Sequence, residues 1–236
     1  MTFNLIGTGL NAKSISLEAL EAIKKSDKVY LENYTVDFPY PKKDLEKVIG
    51  KNIEELSREK VEDERIILEA KSKDVSLLVY GDSLSATTHT QLILACKKKK
   101  VKFQIFHNAS VLTAIAETGL QLYKFGKTAS MPTWRENWKP DSFIALIKQN
   151  QSIKAHTLLL VDIALDLEKA KEQLEESFKN QNLVVEKIVL CSNLGANSKM
   201  FYDKLENLPN KIERPYCFIV PSALHFSEEE FLESFS

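Results

Sequence analysis

Nine consecutive residues, Gly81-Asp82-Ser83-Leu84-Ser85-Ala86-Thr87-Thr88-His89, bring one carboxylate, four hydroxyls and an imidazole together. They follow the apolar run Val75 to Tyr80 and are too polar for a mere turn between a buried strand and a helix. Some of the hydroxyls are expected to cap the helix that follows, since Ser and Thr compete for free backbone N–H groups. A ligand role for the remainder, with Asp82, stays open beside a purely structural one. His89 could act as a base or a ligand, but a lone histidine here reads first as a hydrogen-bonded structural group, as do His107, His156 and His225. No two of the four have metal-ligand spacing. A second candidate, Gly7-x-Gly9-x-x-Ala12, fits a loose dinucleotide fingerprint, with Glu32 placed where a ribose-binding acid would sit. Glycines that simply permit a tight strand-to-helix turn explain it more economically. Neither a GxSxG elbow nor a phosphate loop ending in GK[ST] occurs, so the sequence gives a hydrolase or kinase no support.

Composition narrows the classes further. The 236 residues are 44% hydrophobic and carry 32 basic against 33 acidic side chains, a net charge of -1. A neutral chain lacks the basic excess of a general nucleic-acid binder. No apolar run approaches the roughly 18 residues of a membrane span, and MTFNLIGTGL lacks the pattern of a signal peptide, so a cytoplasmic location is expected. Cys96, Cys191 and Cys217 form no CxxC and read as reduced, buried thiols. Lys97 to Lys100 read as a solvated helix end rather than a nucleic-acid patch.

The elements that must position these residues alternate. Strands are predicted at 3–6, 29–31, 75–80, 101–105, 157–161, 183–190 and 217–220, with a shorter one at 53–56. Helices are predicted after Ser14 or Ser16 through Leu17, Leu20 and Ile23, at 44–49 and 61–71, through Leu92 to Ala95, from Ser110 towards Gly119, from Asp141 or Ser142, and at 167–179. Such alternation indicates α/β layers. The best division lies near 107–112, giving an N-terminal α/β domain over 1–109 and a C-terminal one over 110–236. Ligands of α/β sheets sit beyond the carboxyl ends of strands. That rule selects Gly7 to Leu10, Gly81 to His89, Asn108 to Val111, Val161-Asp162 and Ser192 to Gly195, which one shared cleft would collect. Residues 131–140, MPTWRENWKP, make a polar loop holding both tryptophans, which either meet a partner or pack onto the core.

The wording of these segments resembles one family. GTGL (7–10), YLENYT (30–35), LSRE (56–59), GDSLSATTH (81–89), HNAS (107–110), GLQLYKFGKTAS (119–130), NWKPDSF (137–143), HTLLLVDI (156–163) and IVP (219–221) resemble, in order, the diphthine synthases, a branch of the tetrapyrrole-methylase-like methyltransferases. The resemblance implies two α/β domains with a cofactor cleft between them, a homodimer, S-adenosylmethionine as methyl donor and no metal. It implies repeated methylation of a modified histidine on translation elongation factor 2, a step of diphthamide synthesis. Its cofactor positions fall at Leu10, Asp82, Ser85, Ser110, Val111, Val161, Leu194 and Tyr216; no catalytic base is named. In that reading Asp82 binds polar groups of the donor, backbone around Leu10 and Ser110-Val111 holds its ends, and Val161 and Leu194 pack against it. HNAS, GLQLY and WKPDS are closer to the eukaryotic wording, which favours four transfers and a methyl ester over three transfers giving diphthine. The chain departs from the family at Ser83, where Pro is frequent, in the missing Arg near CSNLG, and in the short linker before 183–190. Other readings are a same-fold methylase acting on a tetrapyrrole, an NAD-dependent oxidoreductase and a non-catalytic binding module.

Overall fold

The structure is a computed structural model and describes residues 1–235. The chain forms two compact units, Met1–Ala114 and from Ile115 onward. The first contains β1 (Thr2–Gly7), α1 (Leu17–Lys25), β2 (Lys28–Glu32), α2 (Lys42–Ile49), β3 (Glu54–Leu56), α3 (Arg58–Glu62), α4 (Arg65–Glu69), β4 (Val75–Val79), α5 (Thr90–Lys99), β5 (Lys102–Phe106) and α6 (Val111–Ala114). Its five strands are ordered β3-β2-β4-β1-β5, and every pairing is parallel.

Parallel sheets need apolar cover on both faces, which is why β1 and β4 read as nearly continuous apolar runs. Successive side chains split between the faces. Phe3, Leu5 and Leu77 pack with Ile67 and Leu92, while Ile6 and Leu78 pack with Ala19, Ile23 and Leu45. Ser16 starts α1 by accepting from Ala19 N at 3.2 Å, and Lys24 and Lys25 close it. The tetralysine ends α5, with Lys100 in the left-handed region. The helix expected over 61–71 is two short helices, because Glu64 at φ 60° breaks the turn between them.

The second unit contains β6 (Ala129–Met131), α7 (Phe143–Ser152), β7 (Thr157–Val161), α8 (Leu167–Asn180), β8 (Ile188–Ser192), β9 (Lys199–Asp203), β10 (Tyr216–Val220) and α9 (Phe226–Glu233). Its order is β6-β7-β10-β8-β9, with only β6–β7 parallel. Residues 183–187 are not strand: Leu183 and Val185 pack against the core without pairing. No strand was expected at β9, which lies at the sheet edge on β8. Cys191 and Cys217 face each other across β8 and β10, and all three cysteines are free and buried. Among the described residues no helix is long and apolar enough to cross a membrane.

Candidate functional site

In the first sheet β4, β1 and β5 are parallel neighbours. Their carboxyl ends therefore lie side by side, and the loops at 7–10, 81–89 and 107–111 meet. Gly9 and Gly81 exchange backbone hydrogen bonds, both of 3.0 Å. A Cβ on Gly7 would stand 2.6 Å from Gly81 O, and one on Gly9, at φ +74°, would stand 2.2 Å from Ser14 Oγ. The glycine pattern thus serves close approach of two loops. Asn108 adds a cross-tie, its Nδ2 donating to Gly7 O (3.1 Å) and Ser14 O (2.9 Å).

Asp82 is the hub of this edge. It is buried, and Oδ1 accepts from Leu84 N (2.9 Å) and Ser85 Oγ (3.2 Å). Oδ2 accepts from Asn108 N (3.1 Å) and lies 2.8 Å from His107 Nδ1. A carboxylate has about four lone-pair sites, so these partners occupy Asp82 fully. Burial opposes its charge, but the bonds from Leu84, His107 and Asn108 prevail and hold the carboxyl below its ordinary value. Two hydroxyls of the loop bond within it, Ser85 to Asp82 and Thr87 to Ser83 O at 2.8 Å, and no side chain caps α5. The expected capping role is therefore corrected, since His89, the residue before α5, is already in helical conformation and leaves no extended cap residue.

Five of the expected donor contacts share this edge. Leu10 is buried, and Tyr80 Oη donates to its carbonyl at 3.1 Å. Ser85 is half-buried beside Asp82. Ser110 caps the short α6 by accepting from Leu112 N at 3.2 Å, and Val111 opens that helix, half-buried. The other three lie in the second unit. Val161 ends β7, Leu194 follows β8 and Tyr216 begins β10. Because β10 runs antiparallel to both neighbours, with Tyr216 opposite Ser192 and Cys217 opposite Leu160, all three fall at one edge of the second sheet. Tyr216 Oη donates to Leu165 O at 2.8 Å, and burial pushes its ionisation up. The Leu194 loop is pinned by Glu117, which accepts from Gly195 N (2.9 Å) and Ser198 Oγ (2.5 Å).

Glu32 does not face a ligand. It is buried, its Oε1 accepts from Tyr34 N, Thr35 N and Thr35 Oγ1, and its Oε2 lies 3.3 Å from His89 Nε2. The dinucleotide reading loses its ribose-binding acid. Sequence reasoning selected Asn108 only as the start of a strand-end turn and read His107 as a structural histidine; it did not foresee that both bind Asp82. It also left the two tryptophans together. The structure separates them: Trp134 Nε1 donates to Pro140 O at 3.0 Å with Lys139 over its ring, whereas Trp138 is 52% exposed on a turn closed by Arg135. Among the described residues no three His, Cys, Asp or Glu side chains are grouped to hold a metal ion.

A parallel sheet with polar loops gathered at its carboxyl edge, followed by a mixed sheet, is an α/β methylase architecture, and residues 2–209 match the family model of the tetrapyrrole (corrin/porphyrin) methylases. The chain belongs to that family, within its diphthine synthase branch. It is 45% identical over 186 residues to diphthine methyl ester synthase of Saccharomyces cerevisiae, covering 77% of this chain and 60% of that protein. It is 40% identical to diphthine methyl ester synthase of Yarrowia lipolytica, covering 93% of this chain and 71% of that one. A crystal structure of diphthine synthase superposes with a TM-score of 0.91 at 35% identity, covering 100% of this chain and 96% of the other. The chain spans 60–64% of the length of the first curated relatives it matches.

Proposed function

We propose that this chain is an S-adenosylmethionine-dependent methyltransferase acting on the modified histidine of translation elongation factor 2 in diphthamide synthesis. It methylates the amine of that side chain three times and then its carboxylate, giving diphthine methyl ester. The observation that carries the reading is the 40–45% identity to proteins named diphthine methyl ester synthase. The enzyme works in the cytoplasm as a homodimer, with the elongation factor as its protein partner.

The residues present suit this donor, a nucleoside joined to an amino acid through a sulfonium and lacking phosphate. The expected contacts are apolar (Leu10, Val111, Val161, Leu194), hydroxylic (Ser85, Ser110, Tyr216) or the carboxylate Asp82, and none is cationic. Ser83 Oγ and Asn193 Oδ1 are buried without hydrogen-bond partners, one in a strand-end loop of each sheet, as expected where a polar ligand completes the loop. Asp82, with its oxygens already occupied, contributes by fixing the loops that carry Ser85, Asn108 and Ser110.

The bound donor supplies an activated methyl group, which leaves positioning to the protein. The acceptor amine must present a lone pair. With an ordinary α-amino pKa of about 7.7–8.0, roughly a tenth is neutral at pH 7, a cost of about 1.4 kcal/mol. The carboxylate methylated last needs no deprotonation. Incubating the purified chain and labelled donor with extract from cells lacking diphthine synthase tests the proposal. Label is expected in elongation factor 2; label in a small tetrapyrrole, or none, rejects it.

A further inference from the structure

We propose that His107, oriented by Asp82, is the base that accepts the proton of the acceptor amine. The proposal rests on the methyltransferase reading above and adds a catalytic residue to it.

Three histidines meet carboxylates in this chain: His89 with Glu32, His156 with Glu228 and His107 with Asp82. The first two are sealed, with side chains 2% and 0% exposed. Neither offers a ring nitrogen to solvent. His89 sets Nδ1 against Ser83 O, and its Nε2, 3.3 Å from Glu32 Oε2 without a hydrogen bond, is buried; His156 sets Nε2 against Glu228 and accepts from Ser222 N on Nδ1. His107 differs. Its side chain is 68% exposed, only Nδ1 is engaged, and among the described residues nothing bonds Nε2.

The chemistry of the partner settles the tautomer. An ionised carboxylate only accepts, so the 2.8 Å contact to Asp82 Oδ2 requires Nδ1 to carry the hydrogen. Nε2 of the neutral ring then presents a bare lone pair at the surface, the arrangement a general base requires. Asp82 is itself rigid, held by Leu84 N, Ser85 Oγ and Asn108 N, so the ring is aimed by a fixed group. Its place fits the acceptor: His107 is the first residue beyond β5, three before Ser110 at the same sheet edge.

The balance closes without further reagents. The ammonium proton passes to Nε2. The freed nitrogen pair forms the new N–C bond while the methyl–sulfur bond breaks and its pair stays on sulfur, leaving a thioether. The imidazolium returns its proton to water. This happens once for each of three amine transfers. Transfer to the carboxylate releases no proton and makes no demand on His107.

His107→Ala is the test, with donor affinity measured by calorimetry as the check on folding. In single turnover at pH 7, the first amine transfer to elongation factor 2 should fall about 10-fold or more. Added imidazole should restore part of the loss, and donor affinity should stay within about twofold of the parent. On substrate already carrying three methyls, transfer to the carboxylate should keep its parental rate; where the parent stops at three, imidazole rescue decides alone. An unchanged amine rate overturns the proposal, and so does a loss of both transfers that imidazole does not relieve. A parent chain that labels no elongation factor refutes the methyltransferase reading itself, and the proposal with it.

Discussion

Asp82 with His107 in the first unit and Glu228 with His156 in the second use the same two side-chain types for opposite ends. At Asp82 the network opens outward, to an imidazole largely in solvent. At Glu228 it closes inward. Its Oε1 accepts from Gln121 N (2.9 Å) and His156 Nε2 (3.2 Å), and its Oε2 from His225 N (2.7 Å) and Lys124 Nζ. These bonds fasten α9 and the turn at 121–124 to β7. A histidine–carboxylate pair therefore carries no function in its composition. What decides is whether a ring nitrogen is left over at the surface, as at His107, or shut inside, as at His156 and at His89 of the same parallel-sheet unit.

The largest expected effect breaks the sealed pair. Glu228→Ala leaves Lys124, His156 and two backbone N–H groups without their acceptor and should cost about 3–5 kcal/mol in urea unfolding. A loss below about 1 kcal/mol would contradict the assigned role. Acid should erode the same network. Burial opposes the charge of Glu228, but Lys124, the Gln121 and His225 N–H groups and His156 overcome it and lower its pKa from 4.5 to about 2. Below pH 4.5 the unfolded chain takes up the proton first, so this stability is complete above that value and is lost as pH falls towards 2. The loss should approach about 3 kcal/mol. Burial also lowers the pKa of His156, so a further part is lost as pH falls below 6.5. Glu228→Gln should flatten the limb between pH 4.5 and 2.

Asp82→Asn tests the open pair. It trades charge-assisted bonds for neutral ones and introduces a donor facing N–H groups, at about 1.5–3 kcal/mol. Methylation and donor affinity should fall together, because the loops carrying Ser85 and Ser110 loosen. A folded variant with parental donor affinity would separate Asp82 from the donor site. Trp138→Ala should have the smallest effect: unfolding within about 0.5 kcal/mol, unchanged donor affinity and a raised KM for elongation factor. A parental KM would remove the 131–140 turn from the substrate surface.

Much of the first unit was legible in sequence. β1 and β4 show as largely apolar runs and β5 as an apolar–polar alternation, leading to Gly7, Gly81 and His107-Asn108, and the rule that ligands sit beyond strand ends selects the residues now found at one edge. The contacts among those loops were not legible. Asp82 and His107 lie 25 positions apart, and only the placement of β1 between β4 and β5 brings them together. The second unit was harder to read. Lys199 to Asp203 offers weak alternation and becomes a strand because β8 provides an edge. Leu183 and Val185 read as strand because apolar packing and strand pairing look alike over so few residues.

The central claim is the reaction, and its most direct measurement is mass spectrometry of the histidine peptide of elongation factor 2. The factor would be isolated from cells lacking diphthine synthase, incubated with the purified chain and excess S-adenosylmethionine, and handled under conditions that spare esters. The account predicts a gain of four methyl groups on that peptide, the fourth lost on mild base treatment. A peptide that stops at three refutes the carboxylate transfer, and a peptide that gains none contradicts the assignment altogether.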